Sequence, residues 1–254
     1  MKWSDYVILP LLAGTVLVIA IYHYRFAADD TVSGRRSGPI PDFKSYTNVL
    51  KKKSDYFNYM LPMVREANSA VLKDRTFVRK IVANGSHSDA DNRRLLALLV
   101  QYKLAAQVTP SQLEKLLLRT DVVPAALILA QSANESAWGT SRFALDANNF
   151  FGLWCFKKGC GLTPRNRDEG LVHEVARFDS VADGVAYYIH TINTHGAYRR
   201  LRNIRSQLRR AEQPITGSEL AEGLIRYSER GIAYVEEIQA MIRINNLSQF
   251  NRGG

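Results

Sequence analysis

The order of apolar and charged positions divides the chain into stretches of different kinds. Val7 to Tyr22 runs 16 residues without a charge behind Lys2, the pattern of a membrane span or a signal segment. Tyr6, His23 and Tyr24 are tolerated at a bilayer interface and extend the run to about the 17–20 residues a span needs. Arg25 and Phe26 occupy positions where a cleavage site wants small residues, so residues 1–25 are expected to be an uncleaved anchor, the alternative being a signal removed on secretion. Residues 26–42, with Asp29, Asp30, Gly34, Ser37, Gly38, Pro39 and Pro41, have the composition of an exposed linker. From Phe43 to Leu118 apolar residues recur at helical spacing, interrupted at Asn84-Gly85-Ser86. Ser88 is placed to cap a new helix, and Thr109-Pro110-Ser111-Gln112 reads as a capping box with proline at the first helical position. Three or four helices fit within a region of residues 43–119.

The next stretch is more strongly patterned. Asp121 is expected to cap a helix that carries Pro124 in its first turn, and Leu127, Gln131 and Glu135 then fall on one face with Ile128 beside them. Gly139 reads as the stop. Between Trp154 and Arg177 the glycines 159, 161 and 170 and Pro164 punctuate short alternating runs such as Leu171 to Val175, which is loop and hairpin territory. From Ser180 the pattern is helical again, and Thr216-Gly217-Ser218-Glu219 is a second capping box opening a helix expected to reach Tyr227. The pattern predicts a mostly α protein with a small β-lobe, its last domain covering residues 120–250.

Charge narrows the class of partner. With 34 Lys and Arg against 24 Asp and Glu the chain carries a net charge of +10, which favours polyanions. No helix-turn-helix, zinc-finger or RNP pattern accompanies it, so nucleic acid is not expected. Six arginines, 199, 200, 202, 205, 209 and 210, fall in twelve residues. They read as a solvated helix face or, alternatively, as a grip for anionic peptides or lipid headgroups. Cys155 and Cys160 are the only cysteines. They pair in an oxidising compartment and stay thiols in a reducing one, and too few ligands surround them for a metal. No cofactor is implied.

Glu135 carries the candidate chemistry. At the end of a helix the macrodipole disfavours a carboxylate, and cover from the ring of Trp138 would add desolvation. Both raise the pKa, and a carboxylic acid still protonated near neutrality can protonate a leaving group. The competing reading is an ordinary solvated Glu.

Ala130 to Gly139, AQSANESAWG, and Asn148 to Leu153, NNFFGL, resemble the A-Q-x-x-x-E-S-x-W-G and N-N-L-F-G-I signatures of glycoside hydrolase family 73, the bacterial endo-β-N-acetylglucosaminidases. Phe178-Asp179-Ser180 through Tyr188 to Tyr198, and Tyr227 to Ile238, resemble two further signatures in the family's order. The third departs at its close, where His195-Gly196-Ala197 replaces Asn-Pro-Arg. The Bax-type subgroup, with its N-terminal hydrophobic segment and helical region, is the most similar. The resemblance implies a lysozyme-like glucosaminidase domain that cleaves peptidoglycan glycan strands, anchored in the bacterial inner membrane and facing the periplasm. It implies Glu135 as general acid, Tyr227 as a second catalytic residue whose phenol orients the acetamido group or stabilises positive charge at the anomeric centre, and Trp138, Asn149, Phe151, Gly152 and Tyr234 as substrate contacts. A small β-lobe in such folds faces the helical lobe, and Asp168, Glu169 and Glu174 are the candidates there for a second carboxylate. The rival readings are a lytic transglycosylase, which works with one Glu, and a glycan-binding scaffold without turnover.

Overall fold

In the computed structural model the described residues are 38–85, 88–164 and 173–251. The expected anchor at Val7–Tyr22 lies outside them, as do Asp168 and Glu169. Among the described residues no helix is long and apolar enough to cross a membrane.

The helical region ahead of Asp121 contains three helices among the described residues: α1 (Val49–Asn84), α2 (Asp89–Gln101) and α3 (Pro110–Arg119). Asn48 caps α1 by accepting from the Lys51 amide, and the helix ends at Gly85 in the left-handed region, φ 66°. Ser88 and Asp91 form a reciprocal capping box on α2. At α3 only half of the expected box is made. Thr109 accepts from the Gln112 amide, but Oε1 of Gln112 is buried with no partner among the described residues.

The 36-residue α1 joins two cores. Its first half gives Tyr56, Phe57, Met60, Leu61 and Val64 to the main core, together with Leu127, Ile128, Ile189, Leu201, Val235 and Ile238. Its second half gives Val78 and Ile81 to a smaller cluster with Leu95, Leu98, Leu99 and Leu116. The centre of the main core is α4 (Ala125–Glu135), in which every residue from Ala125 to Ala133 is buried. A helix apolar all round must be enclosed, and its alanines let neighbours approach closely. The neighbours are α1, α8 (Gly217–Ala221), α9 (Ile232–Ile244) and the 3-10 turn Leu247–Asn251. Between α4 and α8 lie α5 (Arg142–Ala147), three short strands, α6 (Val181–Thr194) and α7 (Arg199–Arg210).

Two expectations fail at the foot of α4. Asp121 does not cap it: Pro124 is the N-cap residue and no side chain bonds there. Asp121 is instead buried and clasped by arginines. Arg209 binds it through two N–H···O bonds of 3.0 and 2.7 Å, and Arg75 and Arg205 approach to 3.4 and 3.9 Å. Burial alone would push the Asp121 carboxyl up, but the Arg209 hydrogen bonds and the charges of Arg205 and Arg75 outweigh it and hold it below the usual range. The arginine run of α7 is accordingly not a uniform solvated face. Arg205 is buried and donates to the carbonyls of Leu118, Asp121 and Val122, and Arg202 is buried against those of Ile192 and His195. A cavity of about 450 Å³ lined by Arg75, Arg79, Arg209, Glu212 and Gln213 opens beside this cluster, and none of the residues around Glu135 lines it.

The expected β-lobe is a three-stranded antiparallel sheet of order β1-β3-β2, with β1 at Trp154–Cys155, β2 at Gly161–Leu162 and β3 at Glu174–Ala176. Cys155 and Cys160 are disulfide-bonded. Their sulfurs and the Glu174 carboxylate lie within 4.8 Å of one another, but sulfurs bonded to each other offer no thiolates to a metal. Glu174 is buried, and its two oxygens accept from the amides of Gly159 and Gly161 at 3.0 and 2.8 Å. The candidate second carboxylate is therefore committed to the disulfide loop. Gly161 is required at its place, since a Cβ there would stand 1.9 Å from the Val175 carbonyl.

Changing both cysteines to serine should loosen this lobe without melting the protein. A short bridged loop contributes only about 2–3 kcal/mol, and Glu174 still ties the loop to β3. Limited proteolysis should cut faster around residues 155–175 and glycan cleavage should fall, while the thermal midpoint of the helical core stays near that of the wild type. A large drop in that midpoint would show that the bridge holds more than the lobe.

Candidate active site

Glu135 is the last residue of α4, so the chain must turn as soon as the acid has been placed. Ala137, Trp138 and Gly139 do this with three successive left-handed conformations, φ 50°, 60° and 74°. The first two are costly for side chains with a Cβ, and such strain persists only where the surroundings over-determine it. Here Ser136 Oγ accepts from the Gly139 amide at 2.8 Å and pairs with the Tyr56 hydroxyl. A Cβ on Gly139 would meet the Phe43 ring at 2.6 Å, so glycine is needed for close approach as well as for φ. The turn sends the Trp138 ring onto α1. It packs edge-on against Tyr56 and Phe57, with Lys53 Nζ 5.0 Å from its centroid. Trp138, expected as cover for Glu135 and as a substrate contact, is thus a pin between α4 and α1.

The cover comes from tyrosines. Tyr234 of α9 donates to Glu135 Oε1 at 2.7 Å, and Gln131, one turn back on α4, donates to the Tyr234 oxygen at 3.0 Å. Tyr188 of α6 donates to Oε1 of Gln131. Each donor in this chain is used once, which fixes the direction of the Tyr234 bond. Tyr227 stacks on Tyr234 with centroids 5.2 Å apart and donates to the Phe151 carbonyl at 2.7 Å. Tyr198 lies 6.1 Å from Tyr227, centroid to centroid.

This enclosure raises the pKa of Glu135. Desolvation is the largest cause, and the charge of Glu237 pushes the same way; hydrogen bonds from Tyr234 and Asn134 and the charge of Arg230 oppose them. The Tyr227 hydroxyl is itself pushed well up by burial, so it stays protonated.

The Asn149–Gly152 turn sits opposite. Asn149 is buried, its amide donating to the Leu153 and Ala176 carbonyls and accepting from the Phe151 and Leu153 amides. It was expected to touch substrate, but its side chain is consumed in building the turn and joining it to β3. Phe151 is likewise buried, stacked at 4.1 Å on Tyr188, and offers only its carbonyl, to Tyr227. Gly152 is the member of this motif that meets the acid. It adopts φ +63°, and a Cβ on it would lie 3.8 Å from Glu135 Oε2.

The structure therefore gathers Glu135, Gly152, Tyr227 and Tyr234, and turns Trp138, Asn149, Phe151 and Glu174 to supporting work. Sequence reasoning passed over Gln131 and Tyr188 as site residues, and also Glu237. Glu237 stands three residues after Tyr234 on α9, hence on the same face, with Arg230 Nη1 at 2.7 Å. Its charge is felt at Glu135. The i, i+3 spacing from Tyr234 was the available signal.

Residues 111–247 match the family described as mannosyl-glycoprotein endo-β-N-acetylglucosaminidase. The chain belongs to this glucosaminidase family. It is also 31% identical over 212 residues to Protein bax of Escherichia coli (strain K12), covering 83% of this chain and 76% of that one. The match to Protein bax makes this a Bax-type glucosaminidase-domain protein, and the family's description suggests a glycosidase. No solved structure matches.

Proposed function

We propose that the protein hydrolyses β-1,4-N-acetylglucosaminyl bonds in peptidoglycan, with Glu135 as general acid. The observation that carries this reading is the asymmetric setting of the Glu135 carboxyl. Oε1 accepts from the Tyr234 hydroxyl, whereas Oε2 faces Gly152, a residue without a side chain. With its pKa raised, the group holds its proton on Oε2 and delivers it to the glycosidic oxygen of a strand lying along the Gly152 side. Tyr227 and Tyr234 line the same place and stabilise positive charge developing at the anomeric centre. Glycosidases of this kind pair the acid with a second carboxylate. Glu174 is committed to its loop, and the other candidates, Asp168 and Glu169, lie outside the described residues. A second reading, lytic transglycosylase cleavage with a single Glu, is favoured by the commitment of Glu174 to its loop. Mass spectrometry of digested sacculi separates the two. A reducing N-acetylglucosamine end supports the hydrolase, and an anhydromuramic end replaces it with the transglycosylase.

Glu237→Gln removes a negative charge that raises the Glu135 pKa and frees Arg230, whose charge lowers it. Both changes lower that pKa. Since the acid must be protonated, the alkaline limb of the kcat/KM profile is expected to move to lower pH. A limb that stays in place would dissociate Glu237 from the acid.

We place the catalytic domain in the periplasm, held at the inner membrane by residues 1–25. The Cys155–Cys160 bond supports an oxidising compartment. Fractionation should recover the intact chain in the membrane, with residues beyond Ala28 open to protease from the periplasmic side; a soluble product starting near Ala28 would replace the anchor with a cleaved signal.

A further inference from the structure

Trp154 is 53% exposed and Phe156 73% exposed, on a chain of 254 residues whose other tryptophan among the described residues is packed. Single exposed apolar residues need no explanation. These two differ in where they stand and in how the indole is held. Strand β1 pairs with β3 in the register Trp154↔Val175 and Cys155↔Glu174, so alternation puts Cys155 and Glu174 on one face and Trp154 on the other. Phe156 follows directly after the strand, two residues beyond Trp154. The His173 ring lies flat against the indole, centroids 4.1 Å apart and planes within 15°. One face of the indole is thus backed and the ring held in place. On the opposite face of the strand, the disulfide and the Glu174 bonds fix the backbone that carries it.

The position follows from chain length. Gly152 stands against Glu135 Oε2, and Trp154 is two residues on, at most about 7 Å further along the chain. A flat, half-open aromatic ring, backed by His173, is thus carried within two residues of the glycine that stands against the carboxyl, with a second exposed aromatic, Phe156, two residues beyond. A β-1,4-linked pyranose presents a face of axial C–H groups, which packs on the electron-rich face of an aromatic ring. Ordering cost is low because the indole is already stacked.

We propose that Trp154, backed by His173, is the platform on which a sugar ring of the glycan strand stacks next to the scissile bond, and that Phe156 extends the strip to the following ring. This rests on the reading of Glu135 as the acid of a glycan-cleaving site and adds to it the subsite that selects longer strands over short ones.

The test uses the full chain carrying Glu135→Gln, so that binding is read without turnover, and β-1,4-linked N-acetylglucosamine oligomers of increasing length as probes. Trp154→Ala is expected to weaken binding of the longer oligomers about tenfold, and Trp154→Phe to restore most of it. Phe156→Ala should cost less and only for the longest probes, and His173→Ala should fall between them. Oligomer binding should change indole fluorescence in the Glu135→Gln chain and not in its Trp154→Phe derivative. Equal affinities with and without the indole overturn the proposal, as does a Glu135→Gln chain that binds no oligomer. If binding depends on Trp154 while the wild-type chain leaves sacculi uncut, the platform stands and the hydrolase reading is the one that fails.

Discussion

Replacing Glu135 by Gln is expected to lower glycan cleavage by about 10²–10⁴ while leaving the fold intact. The amide keeps the size of the side chain, and its carbonyl can still accept the Tyr234 hydroxyl that now meets Oε1 at 2.7 Å. What it lacks is a proton acidic enough to give to the leaving oxygen. Stability provides an independent check. The native pKa of Glu135 is raised, chiefly by desolvation, so its favourable contribution is complete below the unfolded carboxyl pKa and is lost as pH rises through the native value. The wild type should therefore lose stability relative to Glu135→Gln as pH rises through that window. Turnover in the purified variant near the wild-type rate would remove Glu135 from the chemistry. A flat stability difference across pH would show instead that the carboxyl is not desolvated in solution.

What could be read in the sequence was whatever depends on near neighbours. The Ser88 cap and the short strands at 154–155, 161–162 and 174–176 follow from spacing of a few residues, and the structure reproduces them, whereas the helix stop read at Gly139 comes earlier, at Glu135. The partners of those elements could not be read in the same way. Gln131 lies on the Glu135 stripe, yet the tyrosines that make it part of the site, Tyr188 and Tyr234, are 57 and 103 residues away. Spacing marked Asn149 and Glu174 as polar residues in the right segments. It could not tell whether their polar atoms face a substrate or satisfy backbone groups, and here the backbone takes both. Trp138 was misplaced for a related reason, since a helical continuation would aim it back along α4 and the left-handed turn aims it at α1. The helix expected to run from Thr216 to Tyr227 gives way after Ala221 to a 3-10 turn, Glu222–Leu224. That tighter path brings Tyr227 to the Phe151 carbonyl.

The largest effect on stability is expected at Asp121, which a local capping rule misread because its main partner, Arg209, is 88 residues distant. Asp121→Asn keeps the shape and removes the charge that Arg75, Arg205 and Arg209 share. Arg205 is fully enclosed and its pKa is pushed down to about 10 by burial, so it remains a cation at neutral pH with or without its partner. Removing one member of a buried ion cluster leaves uncompensated charge and costs about 3–5 kcal/mol, which for a unit of this size lowers the melting midpoint by roughly 10 °C. The loss should be pH-dependent. The folded pKa of Asp121 is depressed, so its contribution is present above the unfolded carboxyl pKa and disappears as pH falls through the native value; wild type and variant should converge in acid. Glu135 sits at the other end of α4, about 16 Å away by helix rise, so the variant assayed well below its midpoint should cleave glycan at close to the wild-type rate. A cost under about 1 kcal/mol at neutral pH would mean that the carbonyls of Leu118, Asp121 and Val122 already satisfy Arg205, and that the carboxylate is dispensable to the base on which α4 stands.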